Sequence, residues 1–220
     1  MAKKVFIGVG HGGADNGAVA NGFREDNLNL AISLACRDEL LRHGVNVLLS
    51  RTKDETDPTA DEVKECNAFK PNYAVEIHNN AGGGDGVEIY HHYGGGKGKT
   101  LGSNILKEIV AIGQNSRGLK TKKNTQGKDY FAWIRGTSCP AVLIECAFVD
   151  NKKDIAIIDT AAEQKTMGIA IAKGILKTLG IKWVPEKTYT LTATATKLTK
   201  AKADALKKEL SAKGYIVTVK

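Results

Sequence analysis

The sequence predicts an α/β protein: a three-layer domain with a mostly parallel twisted sheet flanked by helices, followed by a small C-terminal β-α-β unit. Three observations predict it. Short apolar runs rich in β-branched residues alternate with helical stripes, the pattern of a parallel sheet with crossover helices. The 220 residues suffice for one full core and a small appendage. Near residue 182 the composition shifts, so we divide the chain into a domain at 1–182, a linker at 183–188 and a module at 189–220.

"KVFIGVG" reads as the first strand. "EDNLNLAISLACRDELLRHG" reads as a helix whose Leu28, Ile32, Cys36 and Leu40 recur every fourth residue as a core-facing stripe, with Asp26 or Asn27 as N-cap and Gly44 as its stop. "VNVLLSR" is the second strand and "TADEVKECNAFK" the second helix. "YAVEIHNNA" and "GVEIYHHY" are the next strands, separated by a Gly-rich turn, and "LGSNILKEIVAIG" is helical. From Arg117 to Thr137 the chain is polar with scattered aromatics and reads as loop or short strands. "PAVLIECAFVDN" is a buried strand, and "DTAAEQKTMGIAIAKGILKTLG" closes the domain as a long helix. In the tail, "YTLTATAT" alternates like a strand, "LTKAKADALKKELSAKG" is a helix with Thr199 as cap, and "YIVTVK" is a last strand. A lone β-α-β unit buries little by itself and is expected to dock, pair or remain marginal.

Charged residues make up 25% and hydrophobic ones 42%, ordinary for a globular protein, and no apolar run approaches the roughly 20 residues that span a bilayer. Gly and His interrupt the N-terminal apolar stretch at once, so we expect no secretory signal and synthesis in the cytoplasm. Cys36, Cys66, Cys139 and Cys146 form no C-x-x-C pair and read as free thiols, mostly buried. The net charge of +8 favours a polyanionic partner. Nucleic acid is not expected, because no RNP-like segment, basic-aromatic interleaving or C₂H₂ spacing is present.

Chemistry gathers where strands end. His11 and His78 stand at the carboxyl ends of their strands, Glu145 near the end of a third, and Glu25 opens the first helix at the same sheet edge. Ligands bind outside the carboxyl ends of strands in open α/β sheets. Two histidines and a carboxylate match a catalytic zinc site with one position left for water, and a further, non-ligating carboxylate supplies a general base. Glu145 is the hardest to read as merely structural, since a carboxylate after "AVLI" in a buried strand is costly without a partner.

"GHGGADNGA", "FREDNLNLA", "LLSRTKD", "VEIHNNA" and "PAVLIECAFVDN" occur in this order from about residue 4 to 180, and together they resemble the zinc-dependent N-acetylmuramoyl-L-alanine amidases of the amidase-3 type. The resemblance implies zinc held by His11, Glu25 and His78, with Glu145 as the catalytic carboxylate. It implies hydrolysis of the amide between N-acetylmuramic acid and the L-alanine of the stem peptide by zinc-activated water. Two positions depart from the family: Glu76 stands where a serine is usual, and Ala147 where glycine is. By strand alternation Glu76 shares a face with His78, as a partner behind the ligand or a competitor for the metal.

Asn79 and Asn80 follow the second histidine and are read as substrate-orienting or turn-capping residues. Arg51 reads as a structural anchor paired with a carboxylate, His43 as a helix-end residue, and His91 and His92 as surface or groove residues. "GGGDG" and "GGGKGK" do not fit a phosphate loop and read as flexible groove rims, and "KTKKN" as a solvated basic run. The function expected is that of a peptidoglycan amidase, a phage endolysin released through holin pores onto a Gram-positive wall or else a bacterial autolysin. A zinc-dependent peptidoglycan endopeptidase and a non-catalytic wall-binding protein on an amidase scaffold are the alternatives. The tail faintly resembles half of a sporulation-related repeat domain, which implies wall binding, with pairing into a homodimer as a second expectation.

Overall fold

The computed structural model describes residues 2–186 and 199–212. In chain order the elements are β1 (Lys4–Val9), β2 (Val19–Ala20), β3 (Phe23–Arg24), α1 (Glu25–Arg42), β4 (Asn46–Leu49), α2 (Thr59–Phe69), β5 (Tyr73–Asn80) and β6 (Val87–His91). They continue with α3 (Gly96–Ala111), β7 (Ser116–Lys120), α4 (Ala132–Gly136), β8 (Ala141–Phe148), α5 (Lys152–Ile155), α6 (Ala161–Leu179) and α7 (Lys200–Ala212). Six strands form one sheet in the order β4-β1-β5-β8-β6-β7. β4, β1, β5 and β8 run parallel, while β6 pairs antiparallel with β8 and carries β7 parallel to itself.

The alternation of side chains along each strand builds two cores. One face presents Val5, Ile7, Val75, Ile77, Val142 and Ile144 to the apolar stripes of α1, α3 and α6. The expected stripe of Leu28, Ile32, Cys36 and Leu40 is buried there. The other face is smaller: Phe6, Ala74 and Leu143 pack with Cys66 of α2 and Trp133 of α4, whose indole N–H donates to Val142 O at 3.1 Å. Each fully buried aliphatic side chain contributes about 1.5–3 kcal/mol, so these layers hold the strand ends, and the site built on them, in place.

Several local expectations change. The N-cap of α1 is Arg24, not Asp26 or Asn27. Glu25 and Asp26 fall in the first turn, where negative charge suits the helix dipole, and Asp26 accepts Arg24 Nε at 3.0 Å. "GGGKGK" is no flexible rim, because α3 begins at Gly96 and Gly98 is buried against Ala141 O. "GGGDG" is likewise tied down, with the Gly82 and Gly83 N–H groups both donating to Asp150 Oδ2 at 2.8 Å. The polar stretch from Arg117 to Thr137 contains most of β7 and all of α4.

The chain divides into two units, Met1–Trp183 and Val184–Lys220. The tail helix forms as α7, but both tail strands, "YTLTATAT" and "YIVTVK", lie outside the described residues. Cys36, Cys66 and Cys146 are buried free thiols, and Cys139 is a partly buried one. No helix among the described residues is long and apolar enough to cross a membrane.

Candidate metal centre

β1 delivers the chain to Gly10, whose N–H donates to Ile77 O at 3.1 Å. A Cβ at Gly10 would lie 2.2 Å from the His78 ring, so only glycine lets that imidazole pack over the strand end. The next residue, His11, holds a left-handed φ of 62°, an uncommon conformation for a non-glycine residue. This backbone turn points its ring at Glu25, with Nε2 3.2 Å from Glu25 Oε1. From β5, His78 brings Nδ1 to 3.0 Å from the same oxygen. The two imidazoles stand edge to face with centroids 4.9 Å apart. Ligand atoms of His11, Glu25 and His78 all lie within 4.8 Å of one another, and these three form a group able to hold a metal ion.

Each of these three donors is itself held. Asp15 Oδ2 takes the far nitrogen of His11, Nδ1, at 2.8 Å. Glu76 Oε1 lies 3.5 Å from His78 Nε2, the far nitrogen of that ring. Glu76 thus stands behind the His78 ring, in the position from which a carboxylate can orient an imidazole. Glu25 Oε2 accepts Ala18 N–H at 2.9 Å, and Oε1 accepts Asn79 N–H at 3.0 Å. Burial works against the Glu25 charge, yet hydrogen bonds from His11 and His78 hold its carboxyl well below the usual carboxylate range. His11 is raised, first by its bond to Glu25; for His78, burial opposes protonation, but the bonds to Glu25 and Glu76 outweigh it.

Glu145 sits directly opposite His78 in the β5–β8 register, so both side chains rise from the same face on neighbouring strands. Its Oε2 is buried and has no hydrogen-bond partner among the described residues. Burial pushes this carboxyl up to about 7, with His78 pulling it down and Glu25, Glu88 and Glu76 pushing it further up. A carboxyl pushed toward neutrality beside these three donors can take and return a proton at working pH.

Other residues fall differently from expectation. Asn79 is 2% exposed and its Nδ2 donates to Asn29 Oδ1 at 2.8 Å, so its side chain faces the interior while its backbone N–H holds Glu25. Asn80 caps the following turn, accepting Ala81 N–H at 2.8 Å. Arg51 is a buried anchor as expected, but its hydrogen-bond partners are carbonyls, with Val9 O, Gly10 O, Asp26 O and Lys53 O all within 3.2 Å. His91 is buried rather than at the surface, whereas His92 is exposed and pairs with Asp129. Asp15 and Asn29, which hold His11 and the Gly10 carbonyl, were not singled out by sequence; the four-residue spacing of Asp15 from His11 was the signal available.

Behind Glu76 lies a second carboxyl, Glu62 of α2, which accepts the Ser50 hydroxyl at 2.9 Å. Burial, then the neighbouring Glu76 charge, push Glu62 up to about 9. Because the folded value exceeds the unfolded one of about 4.3, the proton on Glu62 stabilises the fold most below that value. This contribution is lost as pH rises toward about 9. Glu62→Gln keeps the neutral form, so its melting temperature should exceed wild type by about 3 °C or more at pH 8 and match it at pH 4, measured by thermal unfolding.

A family model described as N-acetylmuramoyl-L-alanine amidase matches residues 5–177. The N-acetylmuramoyl-L-alanine amidase CwlM of Bacillus licheniformis is 36% identical over 216 residues, covering 96% of this chain and 82% of that protein. The endolysin of Bacillus phage SPP1 is 34% identical over 191 residues, covering 83% of this chain and 68% of that one. Among solved structures, the catalytic domain of CwlV, an N-acetylmuramoyl-L-alanine amidase from Paenibacillus polymyxa var. colistinus, superposes with a TM-score of 0.74 at 30% identity. It covers 82% of this chain and 99% of that domain.

Proposed function

This chain belongs to the N-acetylmuramoyl-L-alanine amidase family, and we propose that it hydrolyses peptidoglycan with zinc held by His11, Glu25 and His78 and with Glu145 moving the proton. The observation that carries the reading is the convergence of those three donors within 4.8 Å, with Glu145 in register beside His78.

The donor set suits zinc. Nitrogens of the two histidines lie 3.2 and 3.0 Å from Glu25 Oε1, close to the ~3.3 Å edge that ~2.0–2.1 Å bonds make in a tetrahedron. Asp15 and Glu76 behind the rings are the carboxylate partners that such ligands characteristically have. Three protein ligands leave one position for water or substrate. Bound here, zinc supplies a Lewis acid for the amide carbonyl and lowers the pKa of water from about 15.7 towards about 7. Glu145 accepts the proton of the attacking water. It then returns that proton to the L-alanine nitrogen as the C–N bond breaks, leaving a free amine and a lactyl carboxylic acid that loses its remaining proton to solvent.

The context we favour is lysis of a Gram-positive wall by an endolysin released through holin pores. A 34% identical phage endolysin supports it, and a net charge of +8 suits a polyanionic wall. The lysine-rich segment 189–220, beyond the linker at 183–188, is proposed as a wall-binding or pairing module. On purified walls the protein should clear a zymogram, lose that activity with a chelator, regain it with zinc, and release free L-alanine amino termini. Cross-link amines instead of L-alanine termini, or clearing indifferent to the chelator, would overturn the assignment.

A further inference from the structure

One strand beyond Glu145, β6 carries Glu88, its direct partner across the β6–β8 ladder. Glu88 is 4% exposed, yet its Oε1 accepts both Arg117 Nε at 2.5 Å and Lys120 Nζ at 2.6 Å. Arg117 and Lys120 are three apart on β7, and in a regular strand they would point to opposite faces. A register shift between Val87 and Ile89, with Gly118 at a φ of 84°, inserts the extra residue that turns both onto one carboxylate. Two cations on one anion leave an excess positive charge at the side of the site. Arg117 is further fixed over the Phe148 ring, 5.1 Å from its centroid, and among the described residues its terminal guanidinium nitrogens make no hydrogen bond. Arg117 and Lys120 remain 39% and 32% exposed, so both can meet a ligand.

We propose that Arg117 and Lys120, gathered by Glu88 beside Glu145, bind a free carboxylate of the substrate's peptide and so select stems that carry one near the scissile bond. This rests on the amidase reading above. The amide being cleaved uses up the lactyl carboxyl, so the adjoining glycan is neutral and the peptide is the side that bears carboxylates. Reach agrees with this. Strands lie about 4.8 Å apart, which places β7 about 10 Å from β8. An extended peptide covers about 3.3–3.6 Å per residue. With L-alanine at the site, the next two residues are long enough to reach the cations. Glu88 is the positioning residue; the two cations make the contact, with charge-assisted hydrogen bonds that an uncharged carboxamide cannot match.

The test uses the full chain and two soluble substrates, N-acetylmuramoyl-L-alanyl-γ-D-glutamyl-L-lysine amide with the glutamyl α-carboxyl either free or converted to the carboxamide. Released L-alanine amino termini give kcat/KM. The free acid should be preferred by about tenfold or more. Arg117→Gln and Lys120→Gln, tested singly so that Glu88 keeps one cation, should each reduce that ratio several-fold, and Arg117→Lys should restore part of it. Equal turnover of both substrates by the wild type, or a preference that survives both substitutions, overturns the proposal while leaving the amidase intact. Release of L-alanine termini from neither substrate would overturn the amidase reading itself and this proposal with it.

Discussion

Glu145→Ala and Glu145→Gln are expected to bind zinc as wild type does and to lose about 10²–10⁴ in kcat, the usual range for removing a general acid–base group. Retention of metal follows from the geometry: His11, Glu25 and His78 are held by Asp15, Ala18, Asn79 and Glu76, none of which depends on Glu145. Loss of turnover follows from its place beside His78 and from a carboxyl pushed by burial up to about 7. Both variants should fold, since Glu145 Oε2 makes no hydrogen bond that they would break. Atomic absorption on the purified variants and hydrolysis rates on walls provide the check. A Gln variant with wild-type turnover would remove Glu145 from the chemistry, and one without metal would make it a ligand.

Glu25→Ala should show the opposite pattern: no stoichiometric zinc after dialysis and activity at background. Glu25 is the hinge of the cluster, because one of its oxygens faces a nitrogen of each histidine at 3.2 and 3.0 Å. Without it, two imidazoles remain, fewer than the three protein ligands of catalytic zinc sites. Excess zinc should rescue at most a small part of the rate, and wild-type metal content in this variant would refute the ligand assignment.

Much of the fold was legible from pattern because the large core is built from long-period signals. The fourfold stripe of α1 and the β-branched runs of β1, β5 and β8 meet in one buried layer. Glu145 was legible for a related reason: a carboxylate in a buried strand is an energetic anomaly wherever it is met. Local chemistry was less legible. "GGGKGK" looked like a loop because glycine disfavours helix, but packing of Gly98 against β8 overrides propensity. Asn79 looked like a substrate contact because it follows a ligand, and only the pleat of β5 and the position of Asn29 turn it inward.

Composition, periodicity and motif order alone determined the α/β class, the family and the four residues on which its chemistry is proposed to rest. Tertiary structure decided what holds them. That Asp15 and Glu76 stand behind the two imidazoles, and that a bulge swings Arg117 and Lys120 onto Glu88, depend on distances across strands and turns. Hydrogen bonds and ion pairs act over about 3 Å in space, and residues 29 or 32 positions apart in the chain acquire such distances only once the sheet has formed.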